Sequence, residues 1–171
     1  MELVGYGIVL TALTFEDIEL VRTWRNQDFV RNQMEFTNII SLKEQERWFK
    51  RINEEKSYYF IISTEKKPIG LVHLNQLNLA LQSAHVGIFI GEASYIGTGI
   101  SLKVSLLIFR FAFESLALKT LHAKINNKNE AVIAYNRFLG FKQTQAGVDF
   151  SIWSLTSEDF EHSKNQIKRL L

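Results

Sequence analysis

Ala84-His85-Val86-Gly87-Ile88-Phe89-Ile90-Gly91-Glu92-Ala93-Ser94-Tyr95-Ile96-Gly97-Thr98-Gly99-Ile100-Ser101-Leu102-Lys103-Val104 decides the fold. Its first seven residues are rich in β-branched and aromatic side chains and read as a strand. A glycine-containing loop, Gly91 to Gly99, follows. A helix then opens at about Ile100 and runs to about Leu116. Apolar residues stand at 100, 104, 107, 108 and 111 and again at 102, 106, 109 and 113, so the helix is apolar nearly all round and belongs against a sheet. Thr120 to Ile125 reads as the next strand, which makes the unit a parallel β-α-β crossover.

Outward from this unit the chain changes style. Ile69 to Leu79 and Tyr58 to Ile62 read as strands, with a turn at Glu65-Lys66-Lys67-Pro68 and another at Gln82-Ser83, so the middle is an antiparallel meander. Ile8 to Leu13 is a first strand. Thr14, with Asp17 three residues on, opens a helix to about Asn26, and Ser41 with Glu44 opens another that carries Trp48, Phe49 and Ile52. Beyond the crossover, Glu130 to Leu139 reads as a helix stopped by Gly140. Phe141 to Thr144 and Phe150 to Leu155 are closing strands, and Ser157 starts a terminal helix. The order β-α-α-β-β-β-α-β-α-β-β-α predicts an α/β (α+β) class: a mixed, mostly antiparallel sheet of six to seven strands with helices on both faces.

Composition bounds the function. The 171 residues, 46% hydrophobic, suit one domain over 1–171 with a full core and exclude disorder. Lys plus Arg total 20 and Asp plus Glu 18, without a basic stripe, so no nucleic-acid partner is expected. No cysteine is present, which removes disulfides, thiolate metal sites and cysteine nucleophiles and agrees with a cytoplasmic setting. The N-terminal residues carry no secretory signal pattern, and Ile100 to Phe113 is interrupted by Ser101, Lys103, Ser105 and Arg110, so no membrane span is read.

Ile96-Gly97-Thr98-Gly99-Ile100-Ser101 is the sharpest chemical feature. Two glycines allow a tight turn and close approach of a ligand, and a helix N-terminus offers unpaired N–H donors to an anion. Thr98 and Ser101 can add hydroxyl donors. A P-loop needs Lys directly after its second glycine, where this chain has Ile100, and the dinucleotide fingerprint needs a third glycine, where it has Leu102. Both are rejected.

These residues resemble the GNAT superfamily of acyl-CoA-dependent N-acyltransferases. The strand Val86 to Gly91, the Gly97-Thr98-Gly99 loop, the helix through Phe111-Ala112-Phe113-Glu114, and Asn129 followed by Phe138-Leu139-Gly140-Phe141 match its core in order. Trp24-Arg25-Asn26 and Ile40 to Phe49 resemble the branch of ribosomal-protein N-terminal and nucleotide-aminosugar acetyltransferases. Two loop positions depart: Ile96 stands where the family has Arg or Gln, and Ser101 where it has Gly or Ala. Four residues before Gly140, where a Tyr acid often faces the CoA sulfur, stands Asn136, with Tyr135 its neighbour about 100° around the helix.

The resemblance implies direct transfer of an acetyl group from acetyl-CoA, as cosubstrate and without a metal, to a primary amine of a small metabolite, an aminosugar or a protein N-terminus. It implies that Phe89, Ile90, Gly97, Thr98, Gly99, Ile100, Ser101, Asn129 and Asn136 bind the cosubstrate. The pantetheine arm would lie between two splayed strands, one ending at Ile90 and one starting at Thr120. A base must take the amine proton. His85 is the first candidate, because a reference pKa of about 6.5 suits the task, with His73 second; read otherwise, His85 is a half-exposed strand residue. His122 reads as covering a helix, His162 as surface, and Glu35 and Glu92 as solvated loop carboxylates. Tyr135 or Asn136 would face the leaving sulfur, and Arg25 would grip an anionic group of the acceptor. The last strand and the terminal helix offer a surface for a homodimer. The alternative is a non-enzymatic CoA-binding or interaction module on the same fold.

Overall fold

The computed structural model describes residues 1–65 and 67–170. Strand β1 (Glu2–Gly5) turns through Tyr6 and Gly7, both at positive φ, into β2 (Ile8–Ala12). This two-residue hairpin loop matches the twist of the strands it joins. Helix α1 (Ile18–Asn26) follows a single 3₁₀ turn, then a short α2 (Asp28–Arg31) and α3 (Leu42–Glu54). The meander is β3 (Tyr58–Thr64), β4 (Lys67–Asn78) and β5 (Ser83–Ile90). Then come α4 (Ile100–Arg110), a π-helical turn at Phe111–Ser115, β6 (Thr120–Asn126), α5 (Glu130–Leu139), β7 (Lys142–Gln145), β8 (Phe150–Thr156) and α6 (Ser157–Lys168).

The eight strands form one sheet in the order β1-β2-β3-β4-β5-β6-β8-β7. Every pair is antiparallel except β5 with β6. The expected architecture is present, with one correction: the strands number eight, not six to seven. The additional strand is β1, a four-residue edge piece with alternating half-buried residues, too short to stand out by periodicity. The turn expected over Glu65 to Pro68 is displaced, since Lys67 and Pro68 already pair with Thr64 and Ser63; Lys66 lies outside the described residues.

Alternation along the strands divides the core in two. On one face Phe60, Ile62, Val72, Leu74, Ala84, Leu121, Trp153 and Leu155 pack with the α4 residues Val104 to Phe109 and with Phe160 of α6. On the other face Ile61 and Leu71 meet Val21 and Trp24 of α1, with Trp48 of α3 against Tyr59. Local signals set the helix ends. Ser41 and Glu44 form the expected capping box, the Ser41 N–H donating to the Glu44 carboxylate at 2.8 Å. Asn129 accepts from the Val132 N–H at 3.1 Å to start α5, and Gly140, at φ 100°, stops it.

Candidate active site

β5 and β6 pair only at Ser83 with Thr120, Ala84 with Leu121 and His85 with His122. Past that point β5 stays with β4 as far as Ile90 opposite Gly70, while β6 stays with β8 as far as Asn126 opposite Phe150. The sheet therefore opens into a wedge. The edge of β5 from Val86 to Ile90 that faces β6 has no strand beside it, and its side chains are half-buried in mid-sheet for that reason. Unpaired strand backbone is a template for an extended ligand.

At the wide end of the wedge stands the start of α4. Gly97 and Gly99 both take left-handed conformations, at φ 76° and 78°, and a Cβ added at either meets nothing within 4 Å. No side chain caps α4, and the Leu102 N–H bonds back to the Gly99 carbonyl at 3.1 Å. Among the described residues the N–H groups of Gly99, Ile100 and Ser101 have no backbone acceptor, as anion binding at a helix N-terminus requires. The Thr98 hydroxyl donates to the Tyr95 carbonyl at 2.7 Å, so it stiffens the loop; the hydroxyl donation expected of it is already committed. Ile96 is exposed, at 55%.

The narrow end gathers histidines. His85 and His122 lie side by side, ring centroids 5.3 Å apart. The pKa of each is lowered, that of His85 by burial and then by the charges of His122 and Lys124, that of His122 by burial. His73, one strand further, stacks on Tyr59 with centroids 5.0 Å apart and lies over Gly87. Burial, helped by Arg25 and His85, depresses its pKa from 6.5 to about 4, so it is neutral. Asn75 donates to the Tyr59 hydroxyl at 3.3 Å, and its own Oδ1 is buried without a partner. Arg25, at the end of α1, acts on His73 and Tyr59. Its Nε is buried and unbonded, and it has no carboxylate partner among the described residues. Burial lowers its pKa, the mark of a desolvated cation.

Other expected residues are placed apart from this cluster. The Tyr135 hydroxyl bonds the fully buried Ser105 of α4 at 2.8 Å, and burial raises its pKa. Asn136, 8% exposed, donates back to the Val132 carbonyl at 2.9 Å. Asn129 is occupied as the α5 cap and by Gln33. Phe89 stands edge-on to Trp24 at 6.4 Å. Neither loop carboxylate is free: Glu92 accepts from Trp24 Nε1 at 3.1 Å and pairs with Lys67 at 3.0 Å, and Glu35 pairs with Lys124 at 2.6 Å. His122 lies beside His85, its Nδ1 2.8 Å from Ser154 Oγ. A matched pattern was its signal, since Ser83-Ala84-His85 and Thr120-Leu121-His122 enter the two parallel strands at the same depth. Among the described residues no group of three or more His, Cys, Asp or Glu suits a metal, and no helix is long and apolar enough to cross a membrane.

A family model described as acetyltransferase (GNAT) domain matches residues 8–142. The chain belongs to the GNAT acetyltransferase family. The wedge and the glycine turn lie inside the matched region. Among GNAT relatives, the acetyltransferase PseH of Campylobacter jejuni is 28% identical over 124 residues, covering 72% of this chain and 75% of that protein. Spermidine N-acetyltransferase of Vibrio cholerae, solved with CoA and spermine, superposes with a TM-score of 0.83 at 19% identity, over 92% of this chain and 99% of that one. FdhC, described as a nucleotide-linked sugar GNAT, gives 0.83 at 21% identity, over 99% and 97%. These two structures share the GNAT fold with this chain.

Proposed function

We propose that this GNAT protein acetylates a primary amine on a small, negatively charged metabolite, with a phosphate-bearing aminosugar the best fit, drawing the acetyl group from acetyl-CoA. The uncapped α4 start with its two open glycines, set at the mouth of the β5–β6 wedge, carries the reading of the donor. The pyrophosphate would meet the N–H groups of Gly97 and of Gly99 to Ser101. The pantetheine arm would lie along the unpaired edge of β5, where backbone near Phe89 and Ile90 would hold the acetyl carbonyl and stabilise charge developing on its oxygen.

The acceptor class rests on Arg25. A desolvated guanidinium without an acid partner favours an anion, and Arg is suited to phosphate or carboxylate because of its planar fork. His73, His85, His122 and Lys124 share that face, and the carboxylates Glu35 and Glu92 are already paired. Glu55 acts on Tyr59, but one carboxylate beside Arg25 does not make a polyamine site, so the spermidine activity named for some relatives is not the preferred reading for this chain. His85 would take the amine proton, since a lowered pKa leaves its ring unprotonated, and so able to accept, near pH 7. Asn136 stands where many relatives carry Tyr, and a thiolate leaves without help from a strong acid near neutral pH. The donor and the lack of cysteine fit a cytoplasmic enzyme.

The test is CoA thiol release from acetyl-CoA with a panel of aminosugar phosphates, amino acids, peptides and polyamines. Release with the anionic amines supports the reading; preference for spermidine refutes the acceptor class, and affinity for CoA without release from any amine points to a binding module.

A further inference from the structure

His122 sits at the end of a hydrogen-bond chain through Ser154 to Thr144. The Thr144 hydroxyl donates to the Ile152 carbonyl at 3.3 Å, an acceptor that holds no hydrogen. Its oxygen is then free to accept from the Ser154 hydroxyl, 2.8 Å away. When Ser154 gives its hydrogen to Thr144, it accepts from His122 Nδ1, 2.8 Å away. With the bonds running in this direction the neutral ring is the Nδ1–H tautomer, and its lone pair is on Nε2. A ring whose one nitrogen is held by a hydrogen bond presents the other as a base in a fixed orientation. The chain ends at Thr144, an exposed residue of β7.

His85 stands beside this ring, 5.3 Å between centroids, and no direct hydrogen bond joins the two. The groups around the pair are His73 and Asn75 from β4, Lys124 from β6, and, acting on His73, Arg25 from α1; Lys124 is paired with Glu35. None of them is an unpaired carboxylate. Each histidine thus disfavours a proton on the other, and such a pair titrates as a unit.

We propose that His122, held by Ser154 and Thr144, is the proton-accepting partner of His85, so that the two histidines act as one base in acetyl transfer. This rests on the reading given under Proposed function. In the step, the amine lone pair forms the N–C bond at the acetyl carbonyl and the C–S bond breaks. Its electron pair leaves with sulfur as thiolate, which takes a proton from solvent. The proton lost by nitrogen goes to His85, passes through a bridging water to His122 Nε2, and leaves to solvent. The charged His122 ring is stabilised in the meantime through its Nδ1–H to Ser154.

Two measurements test it. The first is an NMR titration of the imidazole Cε1–H resonances in the unaltered chain, in His122→Gln and in Ser154→Ala, without any substrate. Coupling requires the His85 midpoint to rise in His122→Gln, because a neighbouring cation is gone, and the His122 midpoint to fall in Ser154→Ala, because the imidazolium loses its acceptor. The second is kcat and KM for thiol release against pH. His122→Gln should lose about 100-fold in kcat, the scale of a general base, with the KM for acetyl-CoA unchanged and the acid limb shifted toward higher pH. Ser154→Ala should lose less, and Ser154→Thr should recover it. A His85 midpoint unmoved in His122→Gln, or an unchanged pH profile in a turning-over His122→Gln, overturns the pair while leaving acetyl transfer standing. Failure of the unaltered chain to release thiol with any amine overturns acetyl transfer itself, and the pair as a catalytic base with it, whatever the NMR coupling.

Discussion

Gly99→Val separates the fold from the ligand. Gly99 has a φ of 78°, where a β-branched residue is strained, but an added Cβ touches nothing within 4 Å. The backbone cost is therefore about 1–2 kcal/mol for the left-handed conformation alone. For a chain of this size each kcal/mol moves the melting temperature by roughly 2–4 °C, so the variant should melt only a few degrees early and keep its cooperative transition. The proposed pyrophosphate site lies at this turn, so the Val side chain should crowd the ligand there. CoA at 100 times Kd should stabilise the unaltered chain by about 2.7 kcal/mol, a rise of roughly 5–11 °C. The assay is a thermal-shift titration with acetyl-CoA, CoA and ATP on both proteins. The expected result is a rise with acetyl-CoA and CoA in the unaltered chain, no rise with ATP, and no rise at all in Gly99→Val. A variant that keeps the full CoA shift refutes the pyrophosphate placement. A variant that loses its cooperative transition refutes the claim that the turn is free of packing.

Gly87→Ala acts on the opposite principle: its Cβ would come within 2.4 Å of the His73 ring, which is stacked against Tyr59 and has little room to retreat. Overpacking of this kind should cost about 1–3 kcal/mol, read as a lower urea midpoint with an unchanged slope. Arg25→Met should leave the melting temperature unchanged or higher, since it removes a desolvated cation. It should raise the KM for an anionic acceptor about 10- to 100-fold, the scale of a lost charge-assisted hydrogen bond. His73 gives a pH signature. Its folded pKa of about 4 lies below the 6.5 of the free group, so the unfolded chain binds the proton first. Stability is full above about pH 6.5 and falls as pH drops toward 4, by up to about 3 kcal/mol. His73→Gln should flatten that part of the urea-midpoint profile.

Much was legible in the residues because it is local. Two helix caps, the Gly140 stop, the apolar circumference of α4 and the glycine turn each depend on neighbours within a few positions, and the chain carries them openly. The family order of motifs supplied the sheet. The edge strand β1 escaped because four residues make too short a period, and its pairing is sealed by a hairpin turn at Tyr6-Gly7.

The chemistry of the cleft is another matter. Sequence alone determined that β5, the glycine turn and α4 form one unit and that His85 opens the strand. The splay of β5 and β6 was expected from the family resemblance; only the tertiary structure decided that it starts after His122 and brings two histidines 37 positions apart to the same depth. It also decided that Ser154 from β8 meets His122, that the Tyr135 hydroxyl pairs with Ser105, and that Arg25 is desolvated without an acid partner among the described residues. The physical reason is common to all of these. Capping and alternation are set by bonds a few residues long, whereas a pKa, a tautomer or an unpaired charge is set by whatever the fold brings across from distant strands.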